Sequence, residues 1–167
     1  NLPYCISSDL IVSLLEMRPG VERMVLTVQK EFADRILARP GSRDYGALTV
    51  LLGARADAAR LRDIPPAVFW PVPKVGSSIL RITPRADALA SVSDYAFFKT
   101  LVADLFSQRR KTASAVLRRL ARPRLSKAEA ASLLAAADIA PDARADALAA
   151  PQVIALANAV ASARPLR

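Results

Sequence analysis

The 167-residue chain contains no histidine and a single cysteine, Cys5. Without histidine it cannot build a Ser-His-Asp triad, a Cys-His pair or most zinc sites. One cysteine excludes an internal disulfide and a cysteine metal cluster, so no metal centre is expected. Only five glycines occur, Gly20, Gly41, Gly46, Gly53 and Gly76, and none forms the Gly-x-Gly spacing of a phosphate-binding loop. No apolar run approaches the roughly 18 residues that a bilayer span needs, and no signal-peptide pattern is present. A cytoplasmic protein with no membrane partner is therefore expected. The chain opens Asn1-Leu2-Pro3-Tyr4 without methionine, as expected of the later part of a longer polypeptide. The chemistry left open is that of carboxylates, of a cofactor bound elsewhere, or of positioning.

What is present is a globular composition, 53% hydrophobic and 23% charged, in a length that suits one domain or slightly more. The net charge is +9. It is unevenly spread: residues 94–124 hold 8 Lys/Arg against 2 Asp/Glu, whereas residues 125–167 balance at 4 and 4. A solvated helix face usually mixes signs, so a one-sided cluster favours a polyanionic partner such as nucleic acid.

Periodicity divides the chain in two. Ser7, Ser8 and Asp9 are placed to cap a helix with an apolar face of Leu10, Ile11, Leu14 and Leu15, stopped at Pro19-Gly20. Met24 to Val28 is a short apolar run without alternation, which predicts a strand covered on both faces. Phe32, Ile36 and Leu37 mark a second helix. Leu48 to Leu52 is ambiguous, residues 58–63 form a weak strand, and Ser77 to Ile82 a better one. This is the rhythm of an open α/β sheet. After Pro84 the pattern is helical: Phe97, Phe98, Leu101, Val102, Leu105 and Phe106 share one face, and Val116, Leu117 and Leu120 continue it. Ser126-Lys127-Ala128-Glu129 has capping-box spacing, and Pro151 suits the first turn of a last helix. The unit boundary is placed near residues 84–93.

Three stretches carry candidate chemistry. If Asn-Leu-Pro-Tyr at residues 1–4 follows a buried strand, it would supply carbonyl oxygens that can accept from an amine, a stiffening proline and an aromatic face. That combination suits a planar base with an exocyclic amine, although alone the tetrapeptide more often marks a turn with a core tyrosine. Phe69-Trp70-Pro71-Val72-Pro73-Lys74-Val75 holds aromatics on a stiff loop, as a site or as a lid on the core. Phe106-Ser107-Gln108-Arg109-Arg110-Lys111-Thr112 sets three cations beside an apolar face, a pattern that alone is more often surface than site.

In this order the stretches resemble motifs of the bacterial ribosomal RNA adenine dimethyltransferase family. So do Cys5-Ile6-Ser7, Val28-Gln29-Lys30-Glu31, Tyr45-Gly46-Ala47-Leu48-Thr49-Val50, Pro65-Pro66-Ala67-Val68, Pro141 to Asp146 and Leu156-Ala157-Asn158. The resemblance implies an α/β fold: the later part of a Rossmann-like S-adenosylmethionine-dependent methyltransferase sheet over residues 1–84, then a small all-α rRNA-binding domain over 85–167. It implies S-adenosylmethionine as methyl donor, and two adjacent adenines near the 3′ end of 16S rRNA in the small ribosomal subunit as substrate. A monomer is expected. Asn1 and the Leu2 carbonyl would accept hydrogen bonds from the adenine amine, with Pro3 stiffening the turn and Tyr4 and Phe69 sandwiching the base. Asn1 would also face the donor. Lys74, Arg109, Arg110, Lys111, Arg118 and Arg119 would contact RNA. Trp70 stands where the family commonly has a smaller residue, and either widens the stacking surface or packs on the sheet. Cys5 reads as a small neighbour rather than a nucleophile.

The family's glycine-rich donor loop and first strands would lie upstream of Asn1, so the chain alone is expected to be inactive. Two rivals stand beside this reading. One is the related enzyme acting on an adenine of 23S rRNA in antibiotic resistance, against which Leu2 and Gln108 to Thr112 tilt. The other is a non-catalytic RNA-binding module of ribosome assembly.

Overall fold

The structure, a computed structural model, describes residues 1, 7–17, 20–85, 91–120 and 124–163, leaving aside the side chains of residues 7–9 and 16. Helix α1 (Ser7–Glu16) is followed by strand β1 (Met24–Gln29), helices α2 (Lys30–Ile36) and α3 (Ala47–Gly53), and strands β2 (Ala56–Ile64) and β3 (Ser77–Pro84). From there the regular elements are helical: α4 (Tyr95–Ser107), α5 (Ala113–Leu120), α6 (Lys127–Ala136) and α7 (Ala150–Ala163), with short 3-10 turns at Pro66–Val68 and Ala145–Ala147.

The three strands form an antiparallel sheet in the order β1-β3-β2. Met24 lies opposite Ile82, Leu26 opposite Leu80, and Ala58 opposite Ile82 on the other side. Because side chains alternate along a strand, this register gathers Met24, Val28, Leu80, Ile82 and Ala56 on one face. There they are buried with Ile11 of α1, Ala33 and Ile36 of α2 and Leu52 of α3. The opposite face is open: Val25 is 57% exposed and Arg81 is exposed. The strand predicted to be covered on both faces is thus covered on one among the described residues. An apolar run without alternation permits burial of both faces but does not supply a second layer to perform it.

The ambiguous stretch at Leu48 resolves as helix. Gly46 N–H donates to the Thr49 hydroxyl at 3.2 Å, and that hydroxyl donates to the Arg35 carbonyl at 2.7 Å, so the helix start is fixed by contacts that periodicity does not register. Helix α1 begins at Ser7, which puts the predicted caps inside its first turn. The Ser126 capping box forms with both reciprocal bonds, Glu129 N–H to Ser126 Oγ at 3.1 Å and Ser126 N–H to Glu129 Oε2 at 2.7 Å. Helix α6 ends with Asp138 in the left-handed region, φ 53°. Asp138 N–H reaches the Ala135 carbonyl and Ile139 N–H the Leu134 carbonyl, closing the last turn.

A second apolar cluster is built mainly from α4–α7, with Phe98, Leu101, Leu117, Leu134 and Leu156 fully buried. It also takes Tyr45, Val50 and Ala54 from before Pro84. Sheet and helices therefore share side chains through α3, and the base of the aromatic loop and the basic stretch belong to one packed body.

Candidate nucleic-acid interface

The loop carrying Phe69 leaves β2 at Ile64 and re-enters the sheet at Ser77, two residues that face each other in the ladder. Its neck is tied from several directions. Asp63 accepts from the Ser78 hydroxyl at 2.6 Å and from Lys30 Nζ at 3.3 Å, and Lys30 N–H donates to the Gly76 carbonyl at 2.9 Å. Arg60 joins through Asp63 at 3.4 Å and pairs with Asp34, which lies 3.7 Å from Lys30. The Ser78 hydroxyl, then the Lys30 and Arg60 cations, hold the Asp63 carboxyl below the usual carboxylate range. Exposed ion pairs contribute little to stability individually. This one joins α2, β2 and β3 at the loop's two stems, so its consequence is geometric.

Between the stems, Pro65, Pro66, Pro71 and Pro73 restrict the backbone, and the Trp70–Pro71 peptide bond is cis. Phe69 is half-buried, whereas Trp70 is 94% exposed and so does not pack on the sheet. Lys74 is exposed, with no ion-pair partner among the described residues. Asn1 is exposed and outside any regular element. Leu2, Pro3, Tyr4 and Cys5 lie outside the described residues.

The basic stretch follows the end of α4. Phe106, Ser107, Gln108, Arg109, Arg110 and Lys111 line an open concavity of about 370 Å³. Its cations differ in role. Arg109 folds back, donating to the Tyr45 carbonyl, with its guanidinium 6.0 Å from the Phe106 ring centre. Arg110 and Lys111 are exposed and have no charged partner among the described residues. Arg118 Nε donates to the Leu125 carbonyl at 3.3 Å, and Arg119 pairs with Asp104 at 3.1 Å. Both sit in the last turn of α5, where cations also suit the helix dipole.

Tyr45 was legible only as part of a motif, and the structure gives it a function in the frame. Its buried hydroxyl donates to the Leu148 carbonyl at 2.6 Å, across 103 residues, while its ring lies 5.9 Å from Phe106. With Arg109 on its carbonyl, it bolts the basic stretch and the last helices to the segment before α3. The signal that could have found it is an aromatic with a polar tip just before a buried helix.

The sequence model of the ribosomal RNA adenine dimethylase family matches residues 1–161. The chain is similar to ribosomal RNA small subunit methyltransferase A of Aromatoleum aromaticum, 39% identical over 165 residues, covering 99% of this chain and 59% of that protein. To the protein of the same name from Desulfitobacterium hafniense it is 44% identical over 112 residues, covering 67% of the chain and 40% of the relative. The chain thus spans roughly half the length of these curated relatives. Among solved structures it resembles a dimethyladenosine transferase from Plasmodium falciparum, with a TM-score of 0.80 and 27% identity over 93% of this chain and 63% of that one. It also resembles the 23S rRNA methyltransferase ErmE, with a TM-score of 0.67 and 26% identity over 96% and 63% of the two chains.

Proposed function

The chain belongs to the ribosomal RNA adenine dimethylase family, and from that premise we propose that the protein carrying it dimethylates two adjacent adenines near the 3′ end of 16S rRNA in the small ribosomal subunit, with S-adenosylmethionine as donor. The observation that supports this most is that one family match runs from Asn1 past the basic stretch to residue 161. It takes in the base-binding motif, the aromatic loop and the exposed cations together. The small-subunit names of the curated relatives favour this substrate over a 23S adenine.

In this reading residues 1–84 supply the target-base site and residues 85–167 hold the RNA. An adenine amine is a poor nucleophile because its lone pair is delocalised into the ring. Carbonyl acceptors from Asn1 and Leu2 on its two hydrogens favour the pyramidal amine, whose lone pair is free to react, and positioning supplies the rest. Tyr4 and Phe69 hold the extruded base, repaying the lost stacking at about 1–3 kcal/mol per contact. A fixed loop neck serves this purpose, since a base platform that wanders by an ångström forfeits orientation. S-adenosylmethionine supplies an electrophilic methyl group. Of the described residues only Asn1 is assigned to its side, and one exposed amide side chain makes no pocket for a nucleoside; the described residues alone do not form the donor site. Arg110 and Lys111, free of protein partners among the described residues, serve the RNA backbone.

The test is kinetic, on the full product of the gene encoding this chain. Asn1→Ala should lower the methylation rate on the order of 10²-fold, the usual cost of losing one preorganised hydrogen-bonding group, with little change in subunit affinity. Tyr4→Ala and Phe69→Ala should lower rate and affinity together. Parental rates in all three variants would put the site elsewhere.

A further inference from the structure

Trp70 presents almost its whole indole to solvent, with Val68 63% and Val72 59% exposed on either side. Single exposed apolar residues are ordinary, but three within five positions, on a loop that four prolines stiffen and a tied neck anchors, are held out rather than left out. The backbone at Phe69 is extended, φ −107° and ψ 150°. Consecutive side chains of an extended chain leave on opposite sides. Phe69 turns partly inward and Trp70 outward, so the indole is not a second wall of the pocket that Phe69 serves. It is a separate aromatic face one residue further along.

The charge around it is of one sign. From Pro65 to Gly76 the only charged residue is the exposed Lys74, and Arg62, also exposed, stands at the end of β2. The neighbouring carboxylate, Asp63, is engaged by Ser78, Lys30 and Arg60. A rigid aromatic face with uncompensated cations beside it is the composition that holds single-stranded nucleic acid.

We propose that Trp70 is a stacking platform for the nucleotide flanking the target adenine, with Lys74 on the adjoining phosphate. This deepens the RNA-substrate reading above and rests on it. Extruding the target base removes one stacking partner of its neighbour, and the indole takes that partner's place. With two adjacent adenines as substrate, the flanking base is the second adenine.

Trp70 is the only tryptophan of the chain, so the emission of the 167-residue chain reports on this platform alone. The chain is titrated with a labelled single-stranded RNA containing two adjacent adenines, following indole emission and RNA anisotropy together. The expected result is saturable quenching that tracks the anisotropy. Trp70→Phe should keep most of the affinity, and Trp70→Ala should lose about 5- to 150-fold, the range of one base–aromatic stack. Lys74→Ala should flatten the log-log salt dependence by about one unit. Because the indole is 94% exposed, Trp70→Ala should leave the thermal midpoint unchanged, separating lost binding from lost folding. RNA binding with unchanged emission, or unchanged affinity of Trp70→Ala, overturns the platform and leaves the functional reading standing. Emission that shifts with protein concentration in the absence of RNA overturns it in favour of self-association. Absence of RNA binding by the chain overturns the platform and leaves the functional reading to the methylation test on the full gene product.

Discussion

Tyr45→Phe removes one oxygen and keeps the ring. Tyr45 is 2% exposed, its hydroxyl donates to the Leu148 carbonyl at 2.6 Å, and Leu148 is itself 2% exposed. A neutral hydrogen bond is worth about 1 kcal/mol net, and a buried group left unpaired costs about 1–3 kcal/mol. We expect a loss of about 2 kcal/mol, which in a chain of this size lowers Tm by roughly 4–8 °C. A second signature is alkaline. Burial pushes the Tyr45 hydroxyl up to about 12, against roughly 10 in an unfolded chain. Between these values the unfolded chain releases the proton and the native one keeps it. The stability held by the neutral hydroxyl is therefore complete below about pH 10 and is lost as pH rises towards 12. Tyr45→Phe should lack that decline. Urea unfolding of parent and variant, followed by far-UV circular dichroism at neutral pH and through an alkaline series, reads both effects. A neutral midpoint equal to the parent's, or an equal alkaline slope, would refute the idea that this hydroxyl bolts the halves together.

The neighbouring cations should separate in the same apparatus. Arg109→Ala should cost about 1–2 kcal/mol by freeing the Tyr45 carbonyl, whereas Arg110→Ala should leave stability unchanged and flatten the salt dependence of RNA binding by about one log-log unit. Identical behaviour of the two would dissolve the distinction. Asp138→Gly should raise stability on the order of 0.5 kcal/mol, the relief of left-handed strain less glycine's chain entropy, as read from the denaturation midpoint. The Ser126 hydroxyl and then its backbone N–H hold the Glu129 carboxyl below its ordinary range. What it contributes is present above that range and lost as pH falls through the depressed value, so Glu129→Gln should show a shallower fall in Tm below about pH 4 than the parent.

Local signals were legible and distant ones were not. The capping box at Ser126, the helical face from Phe97 to Phe106 and the strand at Ser77 follow from spacing alone, because their determinants lie within a few residues. The helix at Leu48 needed Arg35 and Thr49 to decide it. Val25 is open because covering a strand requires a layer that its own residues do not encode. Adjacency in sequence groups Arg109 with Arg110 and Lys111 as one basic run. Its reach to the Tyr45 carbonyl, 64 residues away, depends on packing that brings α4 beside the segment before α3. The clamp of Lys30, Asp34, Arg60 and Asp63 is scattered over 34 residues and leaves no pattern. For Trp70 the residue type alone permits either packing on the sheet or an open aromatic face, and only its exposure separates the two.

Whether the protein carrying this chain methylates small-subunit rRNA is decided by locating the methyl groups. Small and large ribosomal subunits lacking these modifications are incubated with the full gene product and isotopically labelled S-adenosylmethionine, and the digested rRNA is read by mass spectrometry. Dimethyladenosine is expected at two adjacent positions near the 3′ end of 16S rRNA, with no label in 23S rRNA. Label confined to a 23S adenine, or none in either subunit, would contradict it.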